Sequence, residues 1–343
     1  MGRAKKVLKL FISLALLLSL FAASTLLYGF LDTVRAPSHN NGGDEPVISA
    51  PSEPPSETPE EPPVTTESTP PPPVTDSPPV EPPPPTPAED LFTQIKMMPS
   101  DIHKGNLVLI NHDHSYDIPD TLDLVAIADG KTESYGVADD GLLLSSTIVG
   151  MLNIMMDSYF RETDRSNVTV TSAFRDYDRQ QEILDEYIAQ YGRTEALRWA
   201  ALPGHSEHHA GLALDFGVYS SGAMRTFTGT GVTEWFPHNA HTFGFILRYP
   251  NNKSDITKTA YEPWHYRYVG FPHSFAMYEN NFCLEEYIDF VRDFTLEAPF
   301  EFSFEGYAFL IYFTKNTEIR IPIGYHHLIS GNNIDGFVVT IWQ

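Results

Sequence analysis

Nineteen of the 28 prolines in this 343-residue chain lie between Pro37 and Pro87, and they restrict a compact fold to the residues on either side. Residues 36–88 contain nine acidic residues and no aromatic residue, lysine or arginine. Such a segment has too little apolar surface to offset the entropy cost of ordering the chain. Its proline runs favour an extended conformation, and its like charges repel one another. We therefore expect residues 36–88 to form a disordered, acidic, proline-rich stalk.

The residues before the stalk, 1–35, are typical of a membrane anchor. Residues 10–31 contain no charged side chain, and four basic residues precede them. As a helix this stretch rises about 33 Å, which matches a bilayer core about 30 Å thick. The positive charges on its N-terminal side place that end in the cytoplasm and the rest of the chain outside the cell. The alternative is a signal peptide cleaved near Ala22-Ala23-Ser24, which would give a secreted protein.

Residues 89–343 contain all four tryptophans and are expected to form the folded part. Apolar residues at helical spacing predict helices, and short apolar or alternating runs predict strands. The predicted helices are 142–160, 178–191 and 284–294. The predicted strands are 107–110, 168–171 and 212–216, followed by three or four short strands after Phe300. We expect a main domain at 89–296 and a β-rich extension at 297–343.

Charge and cysteine content exclude two classes of function. The formal net charge is −23, and an acidic chain lacks the basic surface that binds nucleic acid. The single cysteine, Cys283, excludes a disulfide within the chain and any site with several cysteine ligands. We therefore expect no nucleic-acid partner and no iron–sulfur cluster.

A His-rich stretch is a candidate metal site, with His205, His208, His209 and Asp215 within eleven residues. Neutral imidazole and carboxylate groups are normal zinc ligands, and a catalytic zinc site has three protein ligands and one open position. Because residues 212–216 are typical of a strand, ligands near its two ends could converge on one ion. The alternative is that these histidines lie in a solvated loop without a metal.

Two further stretches supply the groups that hydrolysis at a metal requires. Glu262 lies three residues before His265, and a carboxylate that is not a ligand can take a proton from water. Arg175 lies between a predicted strand and a predicted helix, where it can face a developing negative charge. No HExxH motif occurs in the chain, which excludes a thermolysin-type helix.

Three ordered motifs contain these residues: Ser172-Ala-Phe-Arg175, Ser206-Glu-His208-His-Ala-Gly211-Leu-Ala213-Leu-Asp215 and Glu262-Pro-Trp264-His265-Tyr-Arg267. They resemble the signatures of the VanY-type D-alanyl-D-alanine carboxypeptidases, which are zinc peptidases related to VanX dipeptidases and L-alanyl-D-glutamate endopeptidases. The resemblance extends over about residues 101–294 and is strongest from 168 to 287. One departure is Phe174, where the family commonly has tyrosine.

The resemblance implies a zinc site. The positions that match the family's ligands are His208, Asp215 and His265. His205 and His209 are close enough in sequence to compete as ligands, but the family pattern gives them structural or supporting roles.

The resemblance also implies catalytic and substrate-binding residues. Glu262 matches the general base, which activates water and later protonates the leaving amine. Arg175 matches a residue that contacts either the oxyanion or the substrate carboxylate, and the sequence leaves both alternatives open. Ser206 is expected to line the substrate site, and Trp264 to pack beside it.

The implied fold is α+β, a small antiparallel sheet with flanking helices of the hedgehog/DD-peptidase-like zinc peptidase type, to which the β-rich extension is added. The implied reaction is hydrolysis, by metal-activated water, of the bond before the terminal D-alanine of peptidoglycan stem peptides. We therefore expect a single-pass protein of the bacterial cell membrane with its catalytic domain outside. One alternative is an endopeptidase that cuts L-Ala–D-Glu or cross-bridge bonds at the same site. The other is a non-catalytic wall-binding ectodomain.

Overall fold

The computed structural model describes residues 91–304 and 306–343. The predicted membrane segment at 10–31 and the predicted stalk at 36–88 lie outside these residues. In the described part of the chain, no helix is both long enough and apolar enough to cross a membrane.

The described residues form strands and α-helices, several of which are a single turn long. The strands are β1 (Phe92–Lys96), β2 (Leu124–Ala126), β3 (Gly136–Val137), β4 (Leu143–Ser145), β5 (Val168–Ser172), β6 (Ala213–Ser220), β7 (Ala223–Thr226), β8 (Phe245–Leu247), β9 (His265–Tyr268), β10 (Phe300–Phe304), β11 (Tyr307–Thr314), β12 (Glu318–Pro322), β13 (His326–Gly331) and β14 (Phe337–Trp342). The helices are α1 (Ile127–Gly130), α2 (Ser146–Thr163), α3 (Tyr177–Tyr191), α4 (Arg193–Ala196), α5 (Trp235–Asn239), α6 (Ser254–Thr257), α7 (His273–Glu279) and α8 (Leu284–Val291). Short 3-10 helices are Pro99–His103, Glu207–Ala210, Gly231–Glu234, Ala240–Phe243 and Asn251–Lys253.

The central sheet has the strand order β3-β5-β6-β9-β8, and β7 pairs with the C-terminal half of β6. All neighbouring strands in it are antiparallel except β3 and β5. Helix α2 packs in the main apolar core because Ile148, Leu152, Met155 and Tyr159 share one helical face and are fully buried. The helix ends where Asp164 adopts a left-handed conformation with φ 56°. The predicted α+β fold class is confirmed.

The C-terminal residues form a second sheet with the order β10-β11-β14-β13. Successive side chains of a strand point to opposite faces, and both faces of this sheet are covered. On one face Val338 joins Leu284 of α8 in one apolar cluster. On the other face Val339 and Ile341 pack with Ile319 of β12, which pairs antiparallel with β1. The C-terminal β segment is therefore packed against helices on one side and joined to residues 92–96 on the other.

Most of the predicted elements are confirmed with shifted ends. Helix α3 begins one residue before the predicted 178–191, and α8 ends at Val291 rather than at 294. The predicted helix 142–160 begins only at Ser146, because residues 143–145 form strand β4 instead. The strands predicted at 168–171 and 212–216, and those after Phe300, are present.

The predicted strand at 107–110 is wrong. This apolar run is buried but pairs with no strand, and other groups satisfy its backbone. The Leu107 N–H donates to the Ser330 hydroxyl, and the Val108 carbonyl accepts from Nη2 of Arg267. Burial of the run therefore follows from its sequence, but strand pairing does not.

Candidate metal centre

The register of the central sheet places two of the predicted ligands side by side. Asp215 on β6 is the cross-strand partner of His265, the first residue of β9. On its other side Asp215 is the partner of Ser172, at an irregularity in the pairing of β5 with β6. Nδ1 of His265 lies 2.9 Å from Oδ1 of Asp215. Strand pairing thus joins two residues that are 50 positions apart in the sequence.

His208 is supplied by the 3-10 helix that precedes β6. That helix ends at Gly211, whose φ of 64° is left-handed and where an added Cβ would come within 2.6 Å of a leucine side chain. Nδ1 of His208 is hydrogen-bonded to the backbone carbonyl of Ala173. The proton of the ring therefore lies on Nδ1, and Nε2 faces Oδ2 of Asp215 at 3.4 Å.

His208, Asp215 and His265 form one cluster that fits a metal ion. Each offers one ligand atom, and these atoms lie within 4.8 Å of one another. Nε2 of His208 is buried and has no hydrogen-bond partner. An unpaired buried nitrogen destabilises the folded state unless a ligand binds it. Two imidazoles and one carboxylate are a donor set that zinc accepts, with one position left for water or substrate.

The charges around the cluster also favour a bound cation. Burial and the positive charge of Arg175 lower the pKa of His208 to about 4, so this imidazole is neutral near pH 7, as a metal ligand must be. Burial opposes a charge on His265 as well, but hydrogen bonds to Asp215 and Glu207 raise its pKa to about 9. The carboxylates near His265 therefore favour positive charge at this point of the structure.

Arg175 is fixed in the loop between β5 and α3. Its backbone N–H donates to the carbonyl of His208 at 3.3 Å, which joins this loop to the helix that carries the ligand. The next residue, Asp176, caps α3 by accepting a hydrogen bond from the Arg179 N–H at 2.8 Å. The loop is therefore held at both ends, and the Arg175 side chain is directed into the cleft.

Glu262 and Arg175 lie beside the cluster in this cleft. Oε2 of Glu262 is 3.9 Å from Nδ1 of His265, and burial raises the pKa of Glu262 to about 8 against the opposing charge of His265. Nη1 of Arg175 is 3.8 Å from Oδ2 of Asp215, whereas its buried Nε has no hydrogen-bond partner. A carboxylate with high proton affinity and an available cationic donor therefore adjoin the same candidate metal position.

The two remaining predicted site residues line the same cleft. Ser206 is buried, directly before the helix that carries His208. Trp264 is half-buried and stacks on Trp199, with ring centroids 6.5 Å apart and planes inclined by 18°. The structure thus brings together all seven residues that the sequence motifs indicated.

Three lining residues, Gln180, Trp199 and Tyr249, do not follow from the sequence motifs. Oε1 of Gln180 is buried without a hydrogen-bond partner, and the ring of Tyr249 lies 4.9 Å from that of His265. Gln180 lies in the first turn of the helix that follows Arg175, which is the one local signal that could have indicated it. Trp199 and Tyr249 reach the cleft only through tertiary packing.

The other two histidines of the His-rich stretch have structural contacts. Nδ1 of His205 is 2.7 Å from the carbonyl of Asn111. His209 is fully buried, with Nδ1 2.7 Å from the carbonyl of Arg175 and Nε2 accepting from the Gly204 N–H at 3.0 Å. These bonds use His209 to fix the loop of Arg175, in agreement with the supporting role expected for it.

An α+β fold with a His–Asp–His cluster open to a cleft, beside a buried carboxylate, defines a zinc-type metallohydrolase. A sequence model of the VanY family, described as D-alanyl-D-alanine carboxypeptidase, matches residues 143–271. A D-alanyl-D-alanine carboxypeptidase of Enterococcus faecium is 37% identical over 248 residues, which cover 70% of this chain and 76% of that protein. The chain belongs to the VanY family of D-alanyl-D-alanine carboxypeptidases.

Two solved structures are similar to this chain. The vancomycin-resistance D,D-dipeptidase VanXYg, in complex with a D-Ala-D-Ala phosphinate analogue, is 31% identical with a TM-score of 0.66, and the match covers 74% of this chain and 100% of that one. A mutant of the D,D-pentapeptidase VanY, in complex with Zn(II), is 33% identical with a TM-score of 0.44, over 53% of this chain and 98% of that one. The predicted family, zinc cofactor, metallopeptidase class and carboxypeptidase function are confirmed at the level of the family.

Proposed function

We propose that this chain removes the terminal D-alanine from peptidoglycan stem peptides that end in D-Ala-D-Ala. The observation that carries the proposal is the meeting of three ligand atoms within 4.8 Å of one another, with Glu262 and Arg175 in the same cleft. Membership of the VanY family supports the choice of substrate.

The residues of the cleft divide into a metal-holding set and a proton-transferring residue. His208, Asp215 and His265 would hold zinc, which when bound supplies a positive charge that polarises a substrate carbonyl and lowers the pKa of water. Glu262 takes the proton of the attacking water on a carboxylate oxygen and passes it to the departing D-alanine amine. Its burial suits the first of these steps, because a raised pKa strengthens the carboxylate as a proton acceptor.

The remaining residues bind and orient the substrate. Arg175 donates its N–H groups either to the negative charge that develops on the scissile carbonyl oxygen or to the C-terminal carboxylate. Ser206 offers a hydroxyl beside the metal-binding helix, and the Trp264 ring forms an apolar wall with Trp199. Together they hold the terminal peptide bond beside Glu262.

The test is product analysis with a pentapeptide that ends in D-Ala-D-Ala. We expect mass spectrometry to show a tetrapeptide and free D-alanine, with loss of both products in the presence of a chelator and recovery on addition of zinc. Cleavage at an internal bond would favour the endopeptidase alternative. Lack of any product from zinc-loaded protein would contradict an enzymatic role and favour the wall-binding alternative.

We propose that the chain is anchored in the bacterial cell membrane, with four parts at 1–35, 36–88, 89–296 and 297–343. The uncharged stretch 10–31 and the basic residues before it support an anchor with the enzyme outside the cell. Fractionation of cells, together with the intact mass of the purified protein, tests this. A soluble protein shortened near residue 24 would support a cleaved signal peptide instead.

A further inference from the structure

The two ring nitrogens of His265 face two different carboxylates. Nδ1 faces the metal cluster, 2.9 Å from Oδ1 of Asp215. Nε2 faces away from it, 3.5 Å from Oε2 of Glu207. A neutral imidazole carries one proton, so a histidine that binds a metal through Nδ1 must carry this proton on Nε2.

Glu207 is held in this position by two buried arginines. Its Oε1 accepts hydrogen bonds from Nε of Arg248 and from Nη1 of Arg267, both at 2.7 Å. All three side chains are at most 1% exposed. Because the arginines occupy Oε1, Oε2 is left to face His265, and its direction is fixed by two charge-assisted bonds.

We propose that Glu207 is a positioning residue, whose Oε2 accepts the Nε2–H of His265 and so holds Nδ1 ready to bind zinc. The inference rests on the proposed metal site and extends it to a carboxylate–histidine–zinc arrangement. Such an outer carboxylate fixes the tautomer and the orientation of the ring, and its loss lowers metal affinity about 10- to 100-fold. His208 has its counterpart in the carbonyl of Ala173, so each ligand histidine has its own acceptor.

The alternative is that Glu207 only neutralises the two arginines. Glu285 on α8 provides a matched control, since it also pairs with Arg248, at 2.7 and 2.8 Å, but forms no contact with His265. Removal of either carboxylate disturbs the same buried charge network. Only removal of Glu207 takes the acceptor away from His265.

The experiment compares the full chain with its Glu207→Gln and Glu285→Gln variants. The glutamine oxygen can remain on the arginines, but its NH2 group, a donor, then faces the Nε2–H of His265. We expect zinc dissociation constants, measured by competition with a chromogenic chelator, to rise 10- to 100-fold for Glu207→Gln and to change less than about threefold for Glu285→Gln. The visible spectrum of the cobalt-loaded chain should change only for Glu207→Gln.

Equal zinc affinity of Glu207→Gln and the unmodified chain would overturn the inference, and so would an equal loss of affinity in both variants. Failure of the unmodified chain to bind zinc would instead contradict the proposed function. If Glu207→Gln does not fold, the role of Glu207 is tested instead by NMR of the zinc-loaded unmodified chain with 15N-labelled histidine. We expect a slowly exchanging proton on Nε2 of His265, whereas a proton on Nδ1 or rapid exchange at Nε2 would refute the role of Glu207.

Discussion

Glu262 and Asp215 are carboxylates of the same cleft with opposite proton affinities. Burial raises the pKa of Glu262, and no hydrogen-bond donor to its carboxylate opposes this among the described residues. Burial acts on Asp215 as well, but its interactions with the neighbouring His208 and His265 hold its pKa well below the usual range. When the pKa values of two carboxylates in one site differ in this direction, the one with the low pKa is suited to bind a metal and the one with the high pKa to accept a proton.

The substitution Glu262→Gln tests this division of roles. We expect the turnover rate for the pentapeptide to fall about 100- to 10,000-fold, because the amide cannot take a proton from water. Zinc content, measured by atomic absorption, should stay at the level of the unmodified chain, because Glu262 is not among the ligands. Glu182→Gln, on the exposed side of α3, is the control and should be fully active. An active Glu262→Gln protein would show that another group accepts the proton.

The residues that the sequence indicates at this site are those that lie in contiguous motifs. Residue type and spacing were enough to identify His208, Asp215 and Glu262 as candidates. The interaction of Glu207 with His265 joins residues 58 positions apart, and it depends on how the central sheet places Arg248 and Arg267. Such contacts are set by tertiary packing, so the sequence motif included Glu207 without indicating its partner.

At the scale of elements, α7 is joined to the C-terminal sheet by a buried histidine. Nδ1 of His273 lies 2.7 Å from the Tyr287 hydroxyl, and Nε2 lies 3.1 Å from Oγ1 of Thr340 on β14. Burial lowers the pKa of His273 from 6.5 to about 3. The folded protein therefore excludes a proton that the unfolded chain binds below about pH 6.5.

Stability should consequently decrease as the pH falls from about 6.5 toward 3, by up to about 1.4 kcal/mol for each pH unit from His273 alone. Urea unfolding of the metal-free chain at pH 7 and pH 5 measures this. The variant His273→Gln keeps a donor and an acceptor at this position. Between pH 7 and pH 5, we expect its free energy of unfolding to decrease by about 1–2 kcal/mol less than that of the unmodified chain. An equal decrease for both proteins would show that His273 does not contribute to the pH dependence of stability.

The loop between β13 and β14 fixes the segment that was wrongly predicted as a strand. Nδ2 of Asn333 donates to the carbonyls of Leu109 and Ser115, at 2.8 and 2.9 Å, and Asn333 adopts a left-handed φ of 62°. Side-chain bonds, together with one backbone bond from the Leu109 N–H to the carbonyl of Asn332 at 3.2 Å, therefore replace strand pairing for residues 107–110. Apolar sequence predicted that this segment is buried, but a partner more than 200 positions away could not be inferred from it.

Replacement of this side chain should destabilise the protein. Asn333→Ala leaves the buried Leu109 carbonyl without its donor and removes a residue type that tolerates positive φ. We expect the free energy of unfolding to decrease by about 2–4 kcal/mol in urea titrations. Asn316→Ala, at an exposed position, should change it by less than about 0.5 kcal/mol. A similar small effect for Asn333→Ala would mean that water or another donor replaces the amide.

At the scale of the described unit, the C-terminal sheet supports the residues behind the metal cluster. The face of this sheet that carries Val338 packs on α8. Helix α8 carries Glu285, which is hydrogen-bonded to Arg248. Arg248 in turn holds Glu207, which faces His265. A continuous series of contacts therefore leads from the C-terminal residues to a predicted zinc ligand, which gives the extension a structural role in the enzyme.

A chain that ends at residue 296 tests whether the extension is part of the folding unit. It would uncover Leu284, Ile288 and Val291, which are at most 1% exposed, and burial of such a side chain contributes about 1.5–3 kcal/mol. The combined loss approaches the total stability of an ordinary domain, about 5–15 kcal/mol. We expect the shortened chain to aggregate or to show no cooperative unfolding, and to bind no zinc.

The control for this truncation is removal of residues 1–80, since the described residues from 91 onward belong to one compact unit. We expect that chain to unfold cooperatively and to retain zinc, because every described contact of the cleft lies within it. If a chain ending at residue 296 is soluble, binds zinc and unfolds cooperatively, the extension is not part of the folding unit. The boundary near residue 297 would then separate two independent domains, and the contacts from β14 through α8 to Glu207 would be dispensable for the metal centre.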